Sequence, residues 1–61
     1  MPIIDVTIAE GRSPEQLRAL IHELTEGAQR ALGVPVSTVR VIIREVRKTH
    51  FAAGDVTIAE R

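Results

Sequence analysis

Over residues 3 to 9 apolar and polar residues change places almost one by one, with Ile4, Val6 and Ile8 on one side of an extended chain and Asp5 and Thr7 on the other. A period of two in a segment rich in β-branched residues predicts a half-buried strand over Ile3 to Ala9. Glu10, Gly11 and Arg12 interrupt it. Ser13, Pro14, Glu15 and Gln16 then spell a helix start, with Ser13 as N-cap, Pro14 at the first helical position and Gln16 completing a capping box. From here the period lengthens to about 3.6 residues, since Leu17, Leu20, Ile21, Leu24, Ala28, Ala31 and Leu32 form one stripe. Glu26 and Arg30 make an i, i+4 pair on the polar side, and Gly27 is a weak point or a place of close packing. Gly33 followed by Pro35 ends the helix.

Alternation returns in VRVIIREV, where Val39, Val41 and Ile43 interleave with Arg40, Ile42 and Arg44, predicting a second strand over Val39 to Val46. Strand, helix and strand on short links make a βαβ unit, whose right-handed crossover sets the strands parallel. The helix covers one sheet face and leaves open the other, which carries Ile3, Ile42 and Val46. After Arg47, Lys48, Thr49, His50 and Phe51 the chain passes through Ala52, Ala53 and Gly54 into DVTIAE at 55 to 60, the hexapeptide already present at 5 to 10. This second copy reads as another short strand of the same type, alone or in a hairpin. Without a sequential partner it is an exposed edge unless it joins a neighbouring chain. The expected fold is α+β, a single domain over residues 1–61 with a β-α-β unit and a short C-terminal strand or hairpin, assembled into an oligomer.

Composition supports the last point. A chain of 61 residues buries little apolar surface for the conformational entropy it loses, and small domains find support in disulfides, a metal or other subunits. Cysteine is absent, and His22 and His50 have no companion at ligand spacing, so disulfides are excluded and no metal is expected. Other subunits remain. Eight basic and eight acidic side chains balance, which gives no electrostatic footprint for nucleic acid or an anionic membrane. Apolar runs such as Val41 to Ile43 are too short for a membrane span and no targeting segment opens the chain, so the expected location is cytoplasmic.

Reactive groups are few. Ser13 is committed to capping, and His22 borders solvent with no nucleophile or ligand at a helical offset. Pro2 differs in kind. Removal of Met1 would expose a secondary amine, a base where an internal proline has only an amide, and desolvation with nearby cations would lower its pKa towards neutrality. Parallel strands bring Pro2 and Arg40 to the same end of the sheet. Arg12 falls roughly 30 Å from Pro2 along an extended strand, so a site using all three is shared between chains. Taken alone, Arg12 reads as a turn residue, Arg40, Arg44 and Arg47 as a basic strand edge, and Phe51 as core.

MPIIDVTIAEGRSPEQ, VPVSTVRVIIREV and the following KTHFAAG together resemble the 4-oxalocrotonate tautomerase family over essentially the whole chain. The resemblance implies a β-α-β fold assembled as a hexamer, a trimer of dimers, with an amino-terminal proline as general base. Pro2 would move a proton between an enol and the conjugated carbon chain, converting 2-hydroxydienoates such as 2-hydroxymuconate to the 2-oxo enoate with no cofactor and no metal. Arg40 would bind the carboxylate and carbonyl oxygens beside the reacting carbons, Arg12 a distal carboxylate, and Phe51 would supply an apolar wall. The expected ligand is thus a small dicarboxylate or 2-oxo acid.

Two departures stand out. Relatives that hydrate unsaturated acids use a carboxylate beside the proline, but THFAAG offers none and Asp55 is the nearest, which favours proton transfer. Position 9, often a larger aliphatic residue in the family, is Ala9, from which a wider pocket or an altered substrate choice is expected. Two alternatives stay open: a subunit of a hetero-oligomeric or noncatalytic protein of this fold, and a tautomerase of phenylpyruvate-type enols, for which Arg12 would be idle.

Overall fold

The computed structural model covers residues 1–61. The first strand, β1, is Ile3–Ala9; the helix, α1, is Pro14–Leu32; and the second long strand, β2, is Arg40–Val46. β1 and β2 pair in parallel, with Ile3 opposite Arg40 and Ala9 opposite Val46. The ladder is closed at both ends, where the Arg40 amide donates to the Pro2 carbonyl at 3.0 Å and the Glu10 amide to that of Val46 at 2.8 Å. Ile4, Val6, Ile8, Val41 and Ile43 are half-buried on the helix side, while Ile3, Asp5, Thr7, Arg40, Ile42 and Arg44 alternate with them and are exposed.

α1 begins as its sequence demands. Ser13 Oγ accepts from the Gln16 amide at 3.2 Å and Gln16 Oε1 from the Ser13 amide at 3.0 Å, a reciprocal cap that satisfies two donors at the helix start. It ends at Gly33, whose φ of 66° is the left-handed turn a side chain resists and whose amide donates to the Gln29 carbonyl. The stripe holds from Leu17 to Ala28, but Ala31 and Leu32 are exposed, Leu32 at 61%. Geometry explains this: 19 helical residues span about 28 Å and seven strand residues about 23 Å, so the last turn overhangs the sheet. The Glu26–Arg30 pair does not form; Glu26 lies instead 3.9 Å from exposed His22. Nothing packs on Gly27 within the chain.

One boundary departs from the sequence reading. β2 starts at Arg40, because the Val39 amide is used in closing the 3-10 turn Val36–Thr38 on the Val36 carbonyl. Of the short C-terminal strand or hairpin expected, the structure has the hairpin: β3, Ala52–Ala53, pairs antiparallel with β4, Val56–Thr57. Gly54 at φ 60° and Asp55 at φ 68° connect them, the double left-handed geometry of a type I′ turn. The hexapeptide therefore has two conformations. Residues 5–9 are strand, whereas residue 55 is a turn, 56–57 a two-residue strand and Ile58–Glu60 a 3-10 turn.

No residue of the single chain is buried. Its accessible surface is 4613 Å², where a compact monomer of 6.7 kDa exposes about 3,900 Å². Its radius of gyration is 14.3 Å against about 10.5 Å for a globule of this length. We expect Ser13→Ala to lower stability by about 1 kcal/mol through loss of the cap, read from urea unfolding at fixed protein concentration.

Candidate active site

Four residues carry the expected chemistry, and the parallel register sorts them into two groups. Pro2, half-buried, immediately precedes β1, and Arg40 opens β2; the 3.0 Å hydrogen bond between their backbones fixes them side by side. The Arg40 side chain turns back on the preceding loop, where Nη1 donates to the Ser37 carbonyl at 2.7 Å. That contact restrains the guanidinium and leaves its other N–H donors for an anion. The loop is itself braced by Thr38, whose hydroxyl and amide both donate to the Pro35 carbonyl. The part played by Ser37 was not singled out in the sequence, because a carbonyl anchor leaves no side-chain signature.

Arg12 and Phe51 follow the opposite ends of the strands. Arg12 is exposed in the turn between β1 and α1, and Phe51 is 39% exposed just past the 3-10 turn Lys48–His50. Phe51 is not core in the single chain; its carbonyl accepts from the Ile58 amide and so anchors the C-terminal hairpin. Asp55 is occupied by the hairpin turn. One chain thus brings Pro2 and Arg40 together and holds Arg12 the length of β1 away.

Arg44 is not a free edge charge. Its Nε and Nη2 donate to the two carboxylate oxygens of Asp5 at 3.0 and 3.1 Å, a bidentate bridge across the open face. In the parallel register Asp5 lies opposite Ile42, so Asp5 and Arg44 share a face one pair apart. The hydrogen bonds from Arg44, aided by its charge, hold the Asp5 carboxyl below its ordinary range, while Asp5 raises Arg44.

Similarity to known proteins gives the family. A model described as "Tautomerase enzyme" matches residues 2–61. The chain is 50% identical over 54 residues to a 2-hydroxymuconate tautomerase of Stutzerimonas stutzeri, covering 88% of this chain and 86% of that one. Among solved structures, a 4-oxalocrotonate tautomerase homologue superposes with a TM-score of 0.90 at 48% identity, covering 100% of this chain and 97% of the other. A heterohexamer 4-oxalocrotonate tautomerase from Chloroflexus aurantiacus J-10-fl gives 0.94 at 42% identity, covering 98% and 97%. The chain belongs to the tautomerase family, and its activity is tautomerisation.

The Asp5 carboxyl titrates lower in the folded chain than in the unfolded one, so through acid the unfolded state binds more protons and stability rises with pH. The contribution of the pair is complete above the unfolded value of about 3.9 and is lost as pH falls through the depressed folded value. We expect the difference in urea midpoint between wild type and Asp5→Asn, present at pH 7, to shrink below about pH 4.

Proposed function

We propose that this chain, one domain over residues 1–61, ketonises 2-hydroxydienoate diacids such as 2-hydroxymuconate, with the Pro2 amine as base once Met1 is removed. The observation that carries the reading is the pairing of Pro2 with Arg40 at the start of the parallel ladder. With Met1 in place the Pro2 nitrogen is an amide without basicity, and a small second residue such as Pro2 permits removal of Met1. The freed amine takes the proton of the 2-hydroxyl group. The oxygen's electron pair becomes the carbonyl π bond, the diene electrons shift along the chain, and the protonated amine returns a proton to carbon, so no group is gained or lost. Arg40 pairs with the carboxylate and carbonyl oxygens and stabilises the charge that gathers there.

Arg12 serves the distal carboxylate and Phe51 gives the amine an apolar wall, both from a neighbouring subunit. The assembly is a homo-oligomer, a hexamer built as a trimer of dimers, in which an antiparallel neighbour returns its Arg12 towards Pro2. The surface exposed by the single chain and the heterohexameric relative both support assembly. The latter also favours a second reading, in which a different partner chain completes the site. A monocarboxylate enol of the phenylpyruvate type would need only Pro2 and Arg40, the two residues that one chain already brings together.

Intact mass of the purified chain, with ultraviolet monitoring of 2-hydroxymuconate, tests the proposal. The expected mass is short by one methionine, and Pro2→Ala lowers kcat/KM about a hundredfold or more. Retained Met1 with undiminished activity overturns it. Arg12→Ala is expected to raise KM for the diacid while leaving a monocarboxylate enol nearly unchanged, and Arg40→Ala to impair both; equal losses on both substrates with Arg12→Ala would contradict the distal role.

A further inference from the structure

We propose that Arg44 is a positioning residue for the reaction: by engaging both carboxylate oxygens of Asp5 it keeps that carboxylate off Arg40 and leaves the Arg40 guanidinium open to a substrate carboxylate. This rests on the reading of Arg40 as the anion-binding group and adds what keeps it available.

The register sets up a competition. Asp5 lies opposite Ile42, so on the face away from the helix it stands between two arginines of β2, Arg40 two residues before Ile42 and Arg44 two residues after it. At about 3.3 Å per residue each arginine is displaced from the aspartate by roughly 7 Å along the strand. Arg44 spans that offset, since its Nε and Nη2 reach the two carboxylate oxygens at 3.0 and 3.1 Å. Arg40 has the same side chain at the same offset on the other side, and it carries no ion pair. Asp5 is the one acidic side chain of β1, while Glu45 of β2 lies opposite Ile8 and shares the alternation of Val41 and Ile43. One carboxylate thus stands between two guanidinium groups, and it is held by Arg44.

An unpaired Asp5 would compete with the substrate. The only partner of the Arg40 side chain is the Ser37 carbonyl, at 2.7 Å from Nη1. A carboxylate is the stronger acceptor for a guanidinium, so that contact by itself does not hold Arg40 away from a free aspartate. An aspartate tethered in the same sheet acts at an effective concentration of about millimolar or above. The apparent affinity of Arg40 for substrate then falls in proportion to the molecules in which it is already paired. Arg44 removes the competitor with the geometry that suits a carboxylate best, two N–H···O bonds from one planar fork. The side chains of Arg44 and Asp5 are 61% and 47% exposed, and pairs so exposed add little to stability. What the bridge secures is the freedom of Arg40.

Steady-state kinetics at pH 7.5 test this, with 2-hydroxymuconate and the enol of phenylpyruvate as substrates. Arg44→Gln is expected to raise KM about fivefold on both, with the loss in KM rather than kcat, the size an exposed ion pair permits. Adding Asp5→Asn to that variant is expected to bring KM back within about twofold of wild type. A crystal structure of Arg44→Gln is expected to show the Asp5 carboxylate within hydrogen-bond distance of the Arg40 guanidinium. A bridge that served stability alone would leave the double variant no better than the single one. That result, an Asp5 carboxylate bonded elsewhere in Arg44→Gln, or an unchanged KM in Arg44→Gln while Arg40→Ala impairs both substrates, overturns the role of Arg44 and leaves the reading of Arg40 standing. If Arg40→Ala leaves both substrates unaffected, the reading of Arg40 fails and the role of Arg44 falls with it. Should Arg44→Gln not fold, Arg44→Lys keeps the charge and loses the fork, and a smaller rise in KM with the same recovery on adding Asp5→Asn is expected.

Discussion

The parallel register of β1 on β2 is the constraint from which the rest follows. Parallel strands need a crossover, and nineteen helical residues provide it while covering one sheet face and leaving the other bare. The same register puts the residue before the first strand beside the first residue of the second, joined through Arg40's own amide. It puts the turn after β1 at the far end. A one-residue slip would carry Ile4, Val6 and Ile8 to the wrong face relative to Val41 and Ile43, so the hydrophobic pattern fixes the positions of Pro2, Arg12 and Arg40 together with the packing.

Arg40 illustrates how a small chain combines tasks in one residue. Its backbone closes the ladder and its side chain is restrained by a carbonyl of the preceding turn. Substitution of the side chain leaves the backbone hydrogen bond in place, so the side chain can be altered here without removing the ladder contact. The bidentate Asp5–Arg44 bridge is different in kind, being made wholly of side chains from adjacent strands, and it stiffens the centre of a two-stranded sheet that has no third strand in the same chain.

The β-α-β order, the cap at Ser13 and the stop at Gly33 were legible in the sequence because each depends on neighbours within a few positions. Pro2 beside Arg40 was legible too, since parallel pairing is a property of topology. The Asp5–Arg44 bridge was missed, because it requires the register as well as the face. So was the overhang of Leu32, which appears only when helix rise is set against strand rise. The positions of Arg12 and Phe51 were readable along the chain, and within the single chain they stay at the far end of the ladder from Pro2 and Arg40.

The tail hairpin gives the hexapeptide DVTIAE a use beyond architecture. In the folded chain its two copies have different shapes, one extended beside β2 and one bent through a left-handed aspartate into a 3-10 turn. In the unfolded chain they are the same epitope twice. An antibody selected for the extended form would meet at most one copy per native chain and two per denatured chain, so its binding stoichiometry would count unfolded molecules directly.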